Sequence, residues 1–116
     1  MNLNIEKLPA YTLIKVNDSK LDTNIAPDLK SELVVIAGNG ESNIVLDISN
    51  CQYCDSSGLS AILVANRLCK NANGVFVLAG LTETVEQLIK LSQLDTVLNI
   101  AASADEVSSF FQNPQA

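Results

Sequence analysis

The sequence predicts an α/β fold built on parallel crossovers. Two apolar runs, NIVLDIS at 43–49 and GVFVLAG at 74–80, have the near-continuous hydrophobicity of strands buried on both faces. Segments with apolar residues at helical spacing lie between and after them. The resulting order, β-β-α-β-α-β-α-β-α, alternates strand and helix as a parallel sheet requires.

The first two strands are Asn4–Lys7 and Tyr11–Val16, divided by Leu8-Pro9, which cannot continue a ladder. In the second, Tyr11, Leu13 and Lys15 share one face, and Thr12, Ile14 and Val16 the other. A turn at 17–20 leads through Leu21-Asp22-Thr23-Asn24 into a helix with Ile25, Leu29, Leu33 and Ile36 on one stripe. Pro27 sits in its first turn, where a missing N–H costs nothing, and Gly38-Asn39-Gly40 ends it. Strand 43–49 then feeds a loop, 50–56, and a helix from about Ser57 to Asn71. After strand 74–80 come an amphipathic helix Thr82–Leu91, with Val85, Leu88 and Ile89 inward and the Thr82 hydroxyl as its cap, a strand Val97–Ala101 and a short helix Ala104–Phe111.

At 116 residues the chain is read as one domain, 1–116, able to bury roughly 65% of its unfolded surface without staples. A hydrophobic fraction of 47% against 17% charged residues excludes a disordered chain. The net charge of −6 argues against nucleic acid and anionic membranes as partners. Three cysteines in no disulfide framework, no signal peptide and no run of about 20 apolar residues predict a cytoplasmic protein.

Several chemistries find no footing. There is no histidine, so a serine nucleophile lacks its usual base. A Ser–Lys pair needs Lys15, Lys20, Lys30, Lys70 or Lys90 held close, and no spacing signals one. The chain contains neither G-x-x-x-x-G-K-[ST] nor G-x-G-x-x-G, and no cofactor is implied. Cys51-Gln52-Tyr53-Cys54 precedes its helix by too much for a thioredoxin-like site, and with one further cysteine it makes a poor zinc site. Structural thiols are expected, with Cys69 packing as a small hydrophobe. Asp22 and Asp47 could pair for acid–base work or a metal, but no third ligand accompanies them, so no metal is expected.

What remains is Asp55-Ser56-Ser57-Gly58, between a buried strand and a helix. One reading makes Asp55 or Ser56 the N-cap and its neighbour a solvated side chain. The other makes a serine a phosphorylation site, tolerated by the free N–H groups and positive end of the helix, with Gly58 leaving room for another protein's backbone. Asp47 either bonds the N–H groups of the following loop or lines the same surface as the serines, and Asp22 or Asn24 caps the first helix.

NIVLDIS, DSSG and LSAILVANRL in this order resemble the STAS family, in particular its single-domain anti-sigma factor antagonists. KLDTNIAPDLKSELVVI and GVFVLAGLTETVEQLIKLSQLDTVLNIAASADEV extend the resemblance over residues 3–112. The resemblance implies a small mixed β-sheet with helices packed mainly on one side. It also implies a non-enzymatic regulator phosphorylated at Ser57 by its partner, an anti-sigma factor with a kinase fold that uses ATP and magnesium, and reset by a phosphatase. The unmodified form would bind that partner and free the sigma factor. Asp22, Asp47, Asp55, Ser56, Ser57 and Gly58 would shape the docking surface, whereas Cys51 and Cys54 are outside the family pattern. The alternative is a STAS accessory subunit of a transporter or other complex, with no phosphoswitch.

Overall fold

The computed structural model describes residues 3–111. Strands β1 (Leu3–Lys7) and β2 (Thr12–Val16) form an antiparallel hairpin, closed where the Leu8 N–H donates to the Tyr11 carbonyl at 2.8 Å. Strands β4 (Ile44–Asp47), β6 (Phe76–Ala79) and β7 (Asn99–Ala101) join β2 in parallel, after the short β3 (Lys20–Leu21) and β5 (Tyr53–Cys54) have paired separately with each other. The main sheet has the order β1-β2-β4-β6-β7. It is a mixed sheet with one antiparallel edge, as expected. β1 is that edge, and its residues Asn4–Glu6 are exposed.

Three helices follow the predicted positions: α1 (Ala26–Gly38), α2 (Ser56–Asn71) and α3 (Glu83–Leu91). They cover one face of the sheet. Ile14, Ile44, Leu46, Phe76 and Leu78 point there and pack with Leu29 and Leu33 of α1, Ala61, Ile62 and Ala65 of α2, and Val85 and Ile89 of α3. The alternate residues Val45, Val77 and Ala79 face the other way and meet Val107 and the short α4 (Ser108–Phe111). There Tyr11 and Phe111 stack with ring centroids 4.8 Å apart. The period of two along β4 and β6 thus separates a large core under three helices from a small one under α4.

Some local expectations are corrected. The region 50–56 is no plain loop, because Tyr53–Cys54 pairs in parallel with Lys20–Leu21. Two-residue strands leave too little pattern for alternation to register. The residue preceding α1 is Ile25, with no side-chain cap. Asp22 instead closes the turn before it: its carbonyl accepts from Ile25 N–H at 3.1 Å and Ala26 N–H at 2.8 Å, and its Oδ1 from Asn24 N–H at 3.0 Å. Thr82 precedes α3, but its hydroxyl donates to the Cys51 carbonyl at 2.8 Å instead of capping the helix. The segment expected as a C-terminal helix from Ala104 begins as a 3-10 turn, Ala104–Glu106, and becomes α-helical only at Ser108.

Candidate functional site

The DSSG segment forms the start of α2. Asp55 is its N-cap: the backbone is extended (φ −107°, ψ −171°), Oδ1 accepts from Gly58 N–H at 3.0 Å, and the carbonyl accepts from Leu59 N–H. Ser56 and Ser57 are therefore the first two helical residues. Ser56 is exposed, while Ser57 is half-buried and faces α1 across an open cleft.

The β3–β5 ribbon anchors this helix start. Gln52 N–H donates to the Ser19 carbonyl at 2.7 Å and Asp55 N–H to the Leu21 carbonyl at 3.3 Å, so the approaches to α1 and α2 are laced together. Gly58 lies directly against the lace. A Cβ there would sit 2.3 Å from the Leu21 carbonyl oxygen and 2.7 Å from Cys54 Sγ. Gly58 is buried, so the close approach it permits is made by the chain's own backbone; the expectation that it clears a path for another protein is corrected.

Asp47 is placed elsewhere. It follows Val45 on the α4 face of the sheet, is 8% exposed, and its Oδ1 accepts from Ser49 N–H at 2.9 Å. Gly80, whose φ of +76° suits a residue without a Cβ, lets the neighbouring turn close over that carboxylate. Asp47, Ser49, Gly80, Leu81, Ser103 and Asp105 border a cleft of about 320 Å³ that shares no residue with the one beside Ser57. The loop-binding role of Asp47 is the one observed, and its cleft is distinct from the one beside the serines. Asp55, by contrast, precedes Ser57 by two residues, and Asp22 adjoins Thr23, which lines a cleft together with Ser57.

The cysteines are buried and free. Burial, with the charges of Asp18 and Asp47, pushes the Cys51 thiol up to about 11. Burial, with Asp55 and Cys51, pushes Cys54 up to about 12, and burial alone carries Cys69 to about 11 despite an opposing backbone hydrogen bond. A reactive cysteine needs the opposite environment, so these are packing residues. Among the described residues, no three Cys, Asp or Glu side chains gather as a metal ion would need, and no helix is long and apolar enough to cross a membrane.

A small sheet with helices α1–α3 on one face and a serine at the second position of the middle helix narrows the field, and the family model for the STAS domain matches residues 2–107. The chain belongs to the STAS domain family. An anti-sigma-B factor antagonist of Bacillus subtilis (strain 168) is 26% identical over 106 residues, which cover 90% of this chain and 96% of that protein. The crystal structure of an anti-sigma factor antagonist from Mycobacterium paratuberculosis aligns with a TM-score of 0.84 at 17% identity, over 96% of this chain and 93% of that one. The Bacillus cell fate determinant SpoIIAA in its phosphorylated form aligns with a TM-score of 0.75 at 17% identity, over 95% and 99% of the two chains. At these identities the two structures speak to the fold.

Two residues of the STAS domain's serine cleft carry no mark in the sequence motifs that point to the site, Thr23 and Lys30. A signal is present for the second: Lys30 follows Ala26 by four residues and so shares its side of α1, one turn along.

Proposed function

We propose that this STAS domain is an anti-sigma factor antagonist switched at Ser57. In its unmodified form it binds an anti-sigma factor and so releases the sigma factor; phosphorylated, it lets go. The observation that carries the reading is the placement of Ser57 in the first turn of a capped helix, half-open to water, with the β3–β5 ribbon anchoring that helix start. The Bacillus subtilis relative, an anti-sigma-B factor antagonist by name, supports the same class of activity.

In the transfer, Ser57 Oγ forms a bond to the γ-phosphorus of ATP and the bond from that phosphorus to the departing ADP oxygen breaks. The hydroxyl proton passes to a base on the kinase, which is the partner itself; a phosphatase later hydrolyses the ester. The new group carries about −1.5 to −2 charges close to Asp55, two residues before it at the same helix start. An interface formed around a neutral hydroxyl then meets a concentrated negative charge, which disfavours docking without disturbing the buried core.

The test is capture from the native host on wild-type, Ser57→Ala and Ser57→Asp baits, with the captured proteins identified by mass spectrometry. A kinase-fold anti-sigma factor retained by Ser57→Ala and lost by Ser57→Asp is the expected result. Phosphate still incorporated into Ser57→Ala, or the same transporter subunits on all three baits, would overturn it.

A further inference from the structure

The cleft beside Ser57 has a built-in counter-charge. Thr23, Ala26, Pro27, Lys30 and Ser57 line an open space of about 270 Å³ between the first turns of α1 and α2. Lys30 is the one charged side chain in that lining. It is half-buried, and the ion pairs among the described residues, Lys7–Glu41 and Lys90–Glu86, leave it without a carboxylate partner. Its ammonium is therefore available to an anion entering the cleft from the Ser57 side. The same cleft is bordered by the start of α2, where Gly58 and Leu59 N–H are taken by Asp55 but those of Ser56 and Ser57 have no acceptor among the described residues.

We propose that this cleft is a phosphate-monoester site for the chain's own Ser57: once esterified, the phosphoryl group turns into the cleft and pairs with the Lys30 ammonium. The inference rests on the reading of Ser57 as the modified residue and adds where the phosphate goes. Asp55 and Asp22 drive it there. Their Oδ1 atoms already accept backbone N–H groups, so they offer the phosphate only repulsion from the loop side. Lys20 and Asp28, the remaining charges on β3 and the first turn of α1, are exposed and outside the lining. Thr23 adds a hydroxyl donor at the mouth. A Ser–Lys catalytic pair is the competing use of the same two residues, but that chemistry needs a lysine withdrawn from water, and this cleft is open. The consequence is a phosphoserine held against its own domain, with the hydroxyl's former surface withdrawn from a partner and part of the new charge neutralised internally.

The test uses the full chain with phosphoserine installed at position 57 by codon reassignment, so that no kinase is needed, and follows the 31P resonance against pH. A phosphoserine loses its second proton near pH 6. A cation beside the dianion favours the deprotonated form, so Lys30→Gln should raise that pKa by roughly half to one unit relative to wild type, and Lys30→Arg should not. In the wild-type background alone, the Lys30 15Nζ shift should titrate with the phosphate, a readout that needs no variant. Equal phosphate pKa values in wild type and Lys30→Gln, or a Lys30 signal indifferent to the phosphate, would overturn the proposal. Because the phosphate is installed synthetically, these results do not depend on whether a host kinase modifies Ser57 or a partner responds, which the capture experiment decides separately.

Discussion

Replacing Gly58 by alanine sets two known effects against each other. Alanine within a helix gains up to about 1 kcal/mol over glycine. Here the added Cβ would lie 2.3 Å from the Leu21 carbonyl oxygen and 2.7 Å from Cys54 Sγ, whereas ordinary van der Waals contact begins at 3.4 Å. The nearest obstacle is backbone, and it belongs to the residue whose carbonyl accepts from Asp55 N–H, so α2 can retreat only by loosening the β3–β5 ribbon. Overpacking of this kind costs about 1–3 kcal/mol, and the loosened ribbon adds to it. A net loss of about 2 kcal/mol is expected after the helix gain. With a urea slope of about 1.3 kcal/mol/M for a chain of this size, the unfolding midpoint should fall by about 1.5 M. Gly38→Ala is the internal comparison: nothing lies within 4 Å of its Cβ, and a gain of about 0.5–1 kcal/mol is expected. An unchanged or raised midpoint for Gly58→Ala would refute the argument that the contact with Leu21 is what demands glycine.

Asp47→Asn keeps an oxygen for Ser49 N–H and should leave stability nearly unchanged, whereas Asp47→Ala should cost about 1–2 kcal/mol by urea unfolding. Neither should alter partner affinity, since the cleft of Asp47 is separate from that of Ser57. Cys54 titrates near 12 in the folded protein against an ordinary 9.0, so the folded state holds its proton where the unfolded state releases it. Its contribution is therefore complete below pH 9 and is lost as pH rises from 9 toward 12, at up to about 1.4 kcal/mol per pH unit. Unfolding free energies measured above pH 9 should fall less steeply for Cys54→Ala than for wild type.

The parts of the fold that are legible in the sequence are those where many residues repeat one pattern. The helix α1 stripe of Leu29, Leu33 and Ile36, and the apolar runs of β4 and β6, carry enough repeats to outvote local ambiguity. The DSSG segment is legible as a helix start because a capping carboxylate and a following helix both leave marks in sequence. What escapes depends on contacts distant in the chain. The pairing of Lys20–Leu21 with Tyr53–Cys54 joins segments more than thirty residues apart, and two residues per strand give no period. The same distance hides the cleft, since Lys30 and Ser57 come to line one space only after α1 and α2 pack together. Thr82 misleads for a related reason: a hydroxyl preceding a helix suggests a cap, but the Cys51 carbonyl takes it instead. Asp47 leaves two uses open, and only the fold of the 80–81 turn decides between them.

The free edges of the sheet bear on how the molecule behaves in company. β1 presents Asn4 and Glu6 to water and is followed at once by Leu8-Pro9, while β7 at the other side is only three residues long. A charged edge and a short edge are both poor templates for another strand. Backbone pairing is indiscriminate, because every chain carries the same donors and acceptors. Closing that route leaves recognition to side chains on the helical face, where a single chemical group can change the answer.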